Sequence, residues 1–128
     1  MSVVGLNHFN LTAPWELLEQ VRDFYVDVVG LNVGDRPDFA RRGFWLYAGD
    51  KPIVHLIVCH DGDVRAHGEA APSFIDHIAF TCKGLSEVIE RLKALGIVYR
   101  VTEVPSRGQV QIFVRDPAGV GVELNFEE

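Results

Sequence analysis

Hydrophobic and polar positions alternate cleanly along the C-terminal stretch. Val120, Val122, Leu124 and Phe126 share one parity, and Gly121, Glu123 and Asn125 the other, which is the period of a half-buried strand. Just before it, Asp116-Pro117-Ala118-Gly119 supplies turn chemistry, with Pro fixing φ and Gly tolerating a positive φ. Residues 109–126 therefore read as a hairpin. Glu123 is a carboxylate at mid-strand flanked by Gly and Asn, so it looks placed and not merely solvated.

The same reading covers the rest of the chain. Val3 to Leu11 is a strand candidate, with Phe9 and Leu11 on one face and Leu6, His8 and Asn10 on the other. Thr12 is placed to cap a helix and Pro14 to sit in its first turn. Leu17, Leu18, Val21, Phe24, Tyr25 and Val28 follow at helical spacing, and Gly30 takes the position after the helix. Leu31 to Gly34 is a short extended piece. Gly43–Ala48 and Ile53–Cys59 are strands joined by a turn at Gly49-Asp50-Lys51-Pro52. His60 to Ser73 is polar and aperiodic, a connector. The pattern then restarts, with a strand over Ile75–Thr81 and a helix through Leu85, Val88, Ile89, Leu92 and Leu95 closed by Gly96. Val98 to Val104 is extended, and the hairpin completes the chain.

That restart is an internal repeat. Leu6-Asn-His8-Phe-Asn-Leu-Thr12 aligns with Ile75-Asp-His77-Ile-Ala-Phe-Thr81, Gly30 with Gly96, Asp50-Lys-Pro52 with Asp116-Pro117, and His55 with Glu123. Each half reads as strand–helix–strand–strand–strand. The boundaries are 1–62 for the first module, 63–73 for the connector and 74–128 for the second, as one structural domain of paired modules.

The repeat gathers candidate chemistry. The first and last strands of the halves contribute His8, His55, His77 and Glu123 to one face. Phe9, Val54, Leu56, Ile78, Phe80, Val122 and Leu124 lie on the opposite, helix-covered face. On the third strands, Trp45 and Tyr47 pair with Gln111 and Phe113 on the concave side, as substrate-binding candidates, while Phe44, Leu46, Val110 and Ile112 face the helices. A single strand histidine is more often hydrogen-bonded than metal-bound. Four polar residues at repeat-equivalent positions are harder to explain that way. Three imidazoles and one carboxylate suit a divalent transition metal, with positions left for a substrate bearing two adjacent oxygens. His60 and His67 read as connector residues. Arg36, Arg41 and Arg42 could contact an anionic substrate but read better as a solvated loop, and Cys59, which shares His55's parity and could line the pocket, reads better as a filler thiol.

Composition narrows the partners. The chain has a net charge of −6 and no Lys/Arg-rich run, which disfavours nucleic acid and anionic membrane. No apolar run approaches spanning length, and no signal-peptide pattern opens the chain. Cys59 and Cys82 are the only cysteines, too few for a disulfide framework, so reduced thiols and a cytoplasmic location are expected.

Four segments carry a family resemblance: Leu6-Asn-His8-Phe, Phe24-Tyr25 ahead of Gly30-Leu31, Asp76-His77-Ile-Ala-Phe80, and Asp116-Pro117-Ala-Gly119-Val-Gly-Val-Glu123-Leu124. In these the chain resembles the vicinal oxygen chelate superfamily of glyoxalases, bleomycin-resistance proteins, extradiol dioxygenases and fosfomycin-resistance transferases. The resemblance covers the whole chain and specifies the superfamily better than the reaction. It implies an α+β fold of two tandem βαβββ modules, forming a curved, partly open mixed β-barrel with helices outside. It also implies a homodimer, in which modules can be exchanged between chains.

By the same resemblance the metal set is His8, His77 and Glu123. His55 stands where glyoxalase I has Glu and epimerase relatives have Gln, so it is expected as a fourth ligand or, failing that, as an acid/base group. The implied activity is a metal-dependent, glyoxalase-like lyase or isomerase acting on a small chelating substrate. A divalent ion (Zn, Ni, Co, Mn or Fe) would act as Lewis acid and Glu123 or His55 would move the proton. The alternatives are a non-haem Fe(II) extradiol-type dioxygenase and a metal-free, bleomycin-resistance-like binding protein holding an aromatic ligand against Trp45 and Tyr47. No glycine pattern suggests a dinucleotide.

Overall fold

In each half of the chain a strand leads into one helix and three further strands return beside it. The computed structural model describes residues 5–60 and 77–127. The chain divides into two compact units, Met1–Ala71 and Pro72–Glu128. The connector expected at 63–73, with His67 in it, lies outside the described residues, as do Ile75 and Asp76.

The first unit runs β1 (Phe9–Ala13), α1 (Trp15–Phe24), a π-helical turn (Tyr25–Val29), β2 (Asn32–Gly34), β3 (Gly43–Ala48) and β4 (Lys51–Val58). The sheet order is β1-β4-β3-β2, with β1 and β4 parallel and the other pairs antiparallel. Leu18, Val21 and Tyr25 from the helical segment are fully buried along with Leu46, Val54 and Leu56 from the sheet, as the two periodicities require.

Local chemistry moves some boundaries. The first strand begins at Phe9 and runs on through Thr12, which pairs with Ile57 instead of capping the helix. Pro14 takes the cap position, without a side-chain hydrogen bond, because its ring fixes a φ compatible with helix entry. At the other end the helix widens: the amides of Gly30 and Leu31 both donate to the Tyr25 carbonyl, at 3.0 and 2.8 Å. This closure needs Gly30 at φ 95°. Pro52, without an N–H, sits inside a central strand where the β3–β4 register slips between Leu46 and Tyr47, and such a bulge is where a strand accepts proline.

The second unit repeats the plan with β5 (His77–Cys82), α2 (Leu85–Ala94), β6 (Arg100–Val104), a 3₁₀ turn (Pro105–Arg107), β7 (Gln109–Arg115) and β8 (Gly121–Phe126). Its sheet order is β5-β8-β7-β6, again with the outer pair β5–β8 parallel. Val88, Leu92, Ile112, Val114, Val122, Leu124 and Phe126 form its buried apolar set. The fold is therefore the expected α+β pair of βαβββ modules, each an open four-stranded sheet and neither closed into a barrel.

The hairpin turn is held by Asp116, which is 4% exposed. Its amide donates to the Val120 carbonyl at 2.9 Å, its carbonyl accepts from the Gly119 amide at 2.9 Å, and its Oδ1 accepts from the Val120 amide at 2.8 Å. Gly119 has φ 88°, the conformation the sequence required of it.

Candidate functional site

In the first unit the pairing register puts Asn10, His55, Trp45 and Gly34 in one row across the sheet. His8 precedes β1 by one residue and stacks on His55, ring centroids 3.7 Å apart and planes 16° from parallel. Trp45 covers the neighbouring position, stacked with His55 at 4.2 Å and 9°. His55 Nε2 donates to the Pro52 carbonyl at 3.0 Å, so in the neutral ring Nδ1 carries the lone pair. His8 Nδ1 lies 2.7 Å from Asn7 Oδ1, which leaves Nε2 as the free nitrogen. Burial, followed by the proximity of His8, pushes the His55 pKa below its ordinary 6.5; the Pro52 carbonyl works against this and Arg36 adds to it.

Beside this row is a pocket of about 330 Å³ lined by Asn10, Arg36, Phe39, Arg41, Trp45 and His55 among others. Arg36 and Arg41 lie in the loop between β2 and β3 as expected, but they are half-buried there and not solvated. Arg36 Nη2 donates to the Arg41 carbonyl at 2.9 Å, and Arg41 Nη1 to the Val58 carbonyl at 3.1 Å. Arg42 lies over the Trp15 ring at 4.0 Å. Composition alone makes a loop rich in arginine look solvated; the backbone carbonyls and aromatic faces that capture these side chains come from β3, β4 and the helix start. The available signal was the aromatic Phe39 interleaved with them. Tyr47 does not line the pocket: its hydroxyl donates to the Asp35 carbonyl, and its ring lies where a Cβ on Gly34 would be.

The second unit has the matching row Ala79, Glu123, Phe113 and Arg100. By register Trp45 therefore corresponds to Phe113, and Tyr47 to Arg115, two positions from the pairing expected on sequence. Trp45 pairs with His55 as Phe113 pairs with Glu123, so the strand offset follows that pair and not the match of the Asp50 and Asp116 turns. Gln111, half-buried, sits opposite Thr102 and Asn125. Phe113 meets the His77 ring edge-on at 5.9 Å and lies under the Arg100 guanidinium at 4.8 Å.

Glu123 is 6% exposed. Its Oε2 accepts from Asn125 Nδ2 at 3.0 Å, and its Oε1 lies 3.4 Å from His77 Nε2. Two donors each roughly 2.1 Å from a tetrahedral ion are separated by about 3.4 Å. His77 and Glu123 thus fit a shared divalent ion, with Asn125 orienting the carboxylate from behind. Among the described residues of each unit, no three His, Cys, Asp or Glu side chains form a metal-sized cluster. His60 is exposed, as expected of it. Cys59 and Cys82 are free and half-buried, and burial raises the Cys82 pKa.

Residues 5–124 match the Glyoxalase/Bleomycin resistance protein/Dioxygenase superfamily. No curated protein is a match. Among solved structures, a glyoxalase family protein from Bacillus anthracis is similar at a TM-score of 0.76 and 23% identity, over 100% of this chain and 98% of that one. TnmS3, an antibiotic binding protein from Streptomyces sp. CB03234, is similar at 0.67 and 18%, over 100% and 99%. Lactoylglutathione lyase from Agrobacterium tumefaciens is similar at 0.64 and 21%, over 98% and 96%. At these identities the structural likeness speaks for the fold.

Proposed function

Because the chain belongs to the Glyoxalase/Bleomycin resistance protein/Dioxygenase superfamily, we propose that it is a metal-dependent, glyoxalase-like lyase or isomerase. Its substrate is a small molecule that chelates the metal through two adjacent oxygens. The observation that carries this reading is the His77–Glu123 pair: a buried carboxylate oriented by Asn125 and set 3.4 Å from an imidazole nitrogen on the neighbouring parallel strand. His8, His77 and Glu123 are the proposed ligands, and the intrinsic preference of this N/O set is for Zn, Ni, Co, Mn or Fe. When bound, the ion supplies Lewis-acid polarisation of a substrate carbonyl.

His55 is proposed as the proton-transferring group. Its lowered pKa keeps the ring neutral at pH 7, and the bond to Pro52 leaves Nδ1 as the proton-accepting atom. Glu123 is the other candidate for that role, as the carboxylate nearest the proposed metal. A ring stacked face to face on His8 cannot share one in-plane ion with it, since an imidazole lone pair lies in the ring plane. This favours proton transfer by His55 over the ligand role expected from the sequence.

A second reading is supported by the His8–His55–Trp45 stack, which presents a continuous aromatic column: a metal-free protein that binds a small molecule. Protein prepared without a histidine tag, analysed for bound metals, tests both. Nickel, cobalt, zinc or manganese at near one equivalent supports the isomerase-like enzyme, iron the ring-cleaving dioxygenase. Failure of any divalent ion to bind, with Glu123→Ala indistinguishable from wild type, would leave only the binding protein. A cytoplasmic location is proposed from the two free thiols; no described helix is long and apolar enough to cross a membrane.

A further inference from the structure

The pocket beside Trp45 has a composition at odds with the rest of the chain. The protein carries a net charge of −6, yet this pocket collects two guanidinium groups and no carboxylate among its lining residues. Among the described residues neither Arg36 nor Arg41 is paired with an acid. Each donates to a single backbone carbonyl, so most of the five N–H donors of each guanidinium remain available. Arg36 Nε is buried and has no hydrogen-bond partner. Arg36 and Arg41 both line the pocket, and an anion is the partner a guanidinium fork matches best.

The seat for Arg36 is built into the backbone. Its guanidinium lies against Gly43, where an added Cβ would stand 3.0 Å from Nη2 and 2.0 Å from the Leu56 carbonyl oxygen. It is also held over the Phe39 ring at 4.9 Å. Phe39 in turn lies 6.2 Å from Trp45, inclined at 47°, and is 50% exposed. An exposed phenyl ring tethered between an arginine and a tryptophan offers a planar guest two apolar faces. The cavity of about 330 Å³ is at the small end for organic ligands, room for a fused bicyclic ring system and one acidic group.

We propose that this pocket binds a planar, conjugated organic anion, its ring system against Trp45 and Phe39 and its carboxylate on Arg36 and Arg41. This names a substrate class for the activity proposed above, and it rests on that reading only for what happens after binding. The sequence presents Arg36-Pro37-Asp38-Phe39 as a polar loop; its role emerges where the loop folds back over Gly43.

The test is binding to protein dialysed against EDTA, so that its failure is independent of any failure of the metal assignment. Trp45 indole N–H and Arg36 Nε–H resonances are followed by NMR in a Trp15→Phe background, which leaves Trp45 as the only tryptophan. The probes are 2-naphthoate, neutral 2-naphthamide and the saturated decahydro-2-naphthoate. The expected result is a saturable shift of both resonances by 2-naphthoate, with Kd lower than that of either other probe by about tenfold or more. Arg36→Met should abolish the preference for naphthoate over naphthamide while naphthamide still shifts Trp45. Should that variant not fold, Arg41→Gln, which keeps Arg36, should narrow the same preference. Equal binding of naphthoate and naphthamide to wild type would overturn the anion assignment, equal binding of the flat and saturated acids the planar one, and no shift at Trp45 the pocket itself.

Discussion

His55 lies between His8 and Trp45 as the middle ring of a stack, with its Nε2 tied to the Pro52 carbonyl and its Nδ1 left open. A ring clamped on both faces and at one nitrogen has a fixed direction for the remaining lone pair. Such fixing suits proton transfer, where the acceptor must meet the substrate at hydrogen-bond distance. It suits shared coordination with His8 poorly.

Loss of this ring should therefore separate chemistry from metal binding. In His55→Ala, turnover is expected to fall by about 10²–10⁴-fold with metal affinity close to wild type. Glu123→Ala should lose most of its metal affinity in the same calorimetric titration. A His55→Ala protein that binds metal as weakly as Glu123→Ala would return His55 to the ligand set.

The supporting residues should behave differently again. Asn125 holds Glu123 Oε2 at 3.0 Å, and groups that orient a metal ligand typically contribute about 10–100-fold to affinity. Asn125→Ala is expected to weaken metal binding within that range while leaving the fold intact by circular dichroism. An unchanged affinity would make the contact a surface feature only.

The pH behaviour of His55 follows from the direction of its shift. A histidine with a folded-state pKa below 6.5 stays neutral in the native protein while the unfolded chain has begun to take up protons. The unfolded state then binds more protons, so this group's contribution to stability rises with pH. That contribution is fully present above 6.5 and is lost as pH falls from the unfolded value towards the folded one. By NMR, His55 should titrate with a midpoint under 6.5 in wild type, and higher in both His8→Ala and Arg36→Gln, since both neighbours depress it. A wild-type midpoint at or above 6.5 contradicts the assignment.

At the hairpin, Asp116→Ala removes the acceptor of the Val120 amide. The expected destabilisation is about 1–3 kcal/mol, measured by urea denaturation. Gly119→Ala, at φ 88°, should cost about 1–2 kcal/mol through its left-handed backbone. Wild-type stability in both would show that these turn contacts do not hold the hairpin.

Among the described residues each sheet leaves two strands unpaired on one side: β1 and β2 in the first, β5 and β6 in the second. Exposed edges are commonly covered by association, and a homodimer is the expected state at micromolar concentration. Light scattering that gave the mass of one 14.3 kDa chain would contradict it.

The sequence by itself determined the two βαβββ modules, because strand and helix periods are set by which face must leave water. Repetition of those periods marked His8 and His77, and His55 and Glu123, as equivalent. Alternation was enough to place Glu123 on a strand face opposite Val122 and Leu124. Tertiary structure decided what period cannot encode. Pairing across the sheets made Trp45, not Tyr47, the counterpart of Phe113, since Trp45 faces His55 as Phe113 faces Glu123. The stacking of His8 on His55, the burial of Arg36 against Gly43 and the 3.4 Å approach of His77 to Glu123 depend on side-chain directions across different strands. Those directions are fixed only when the strands meet in register.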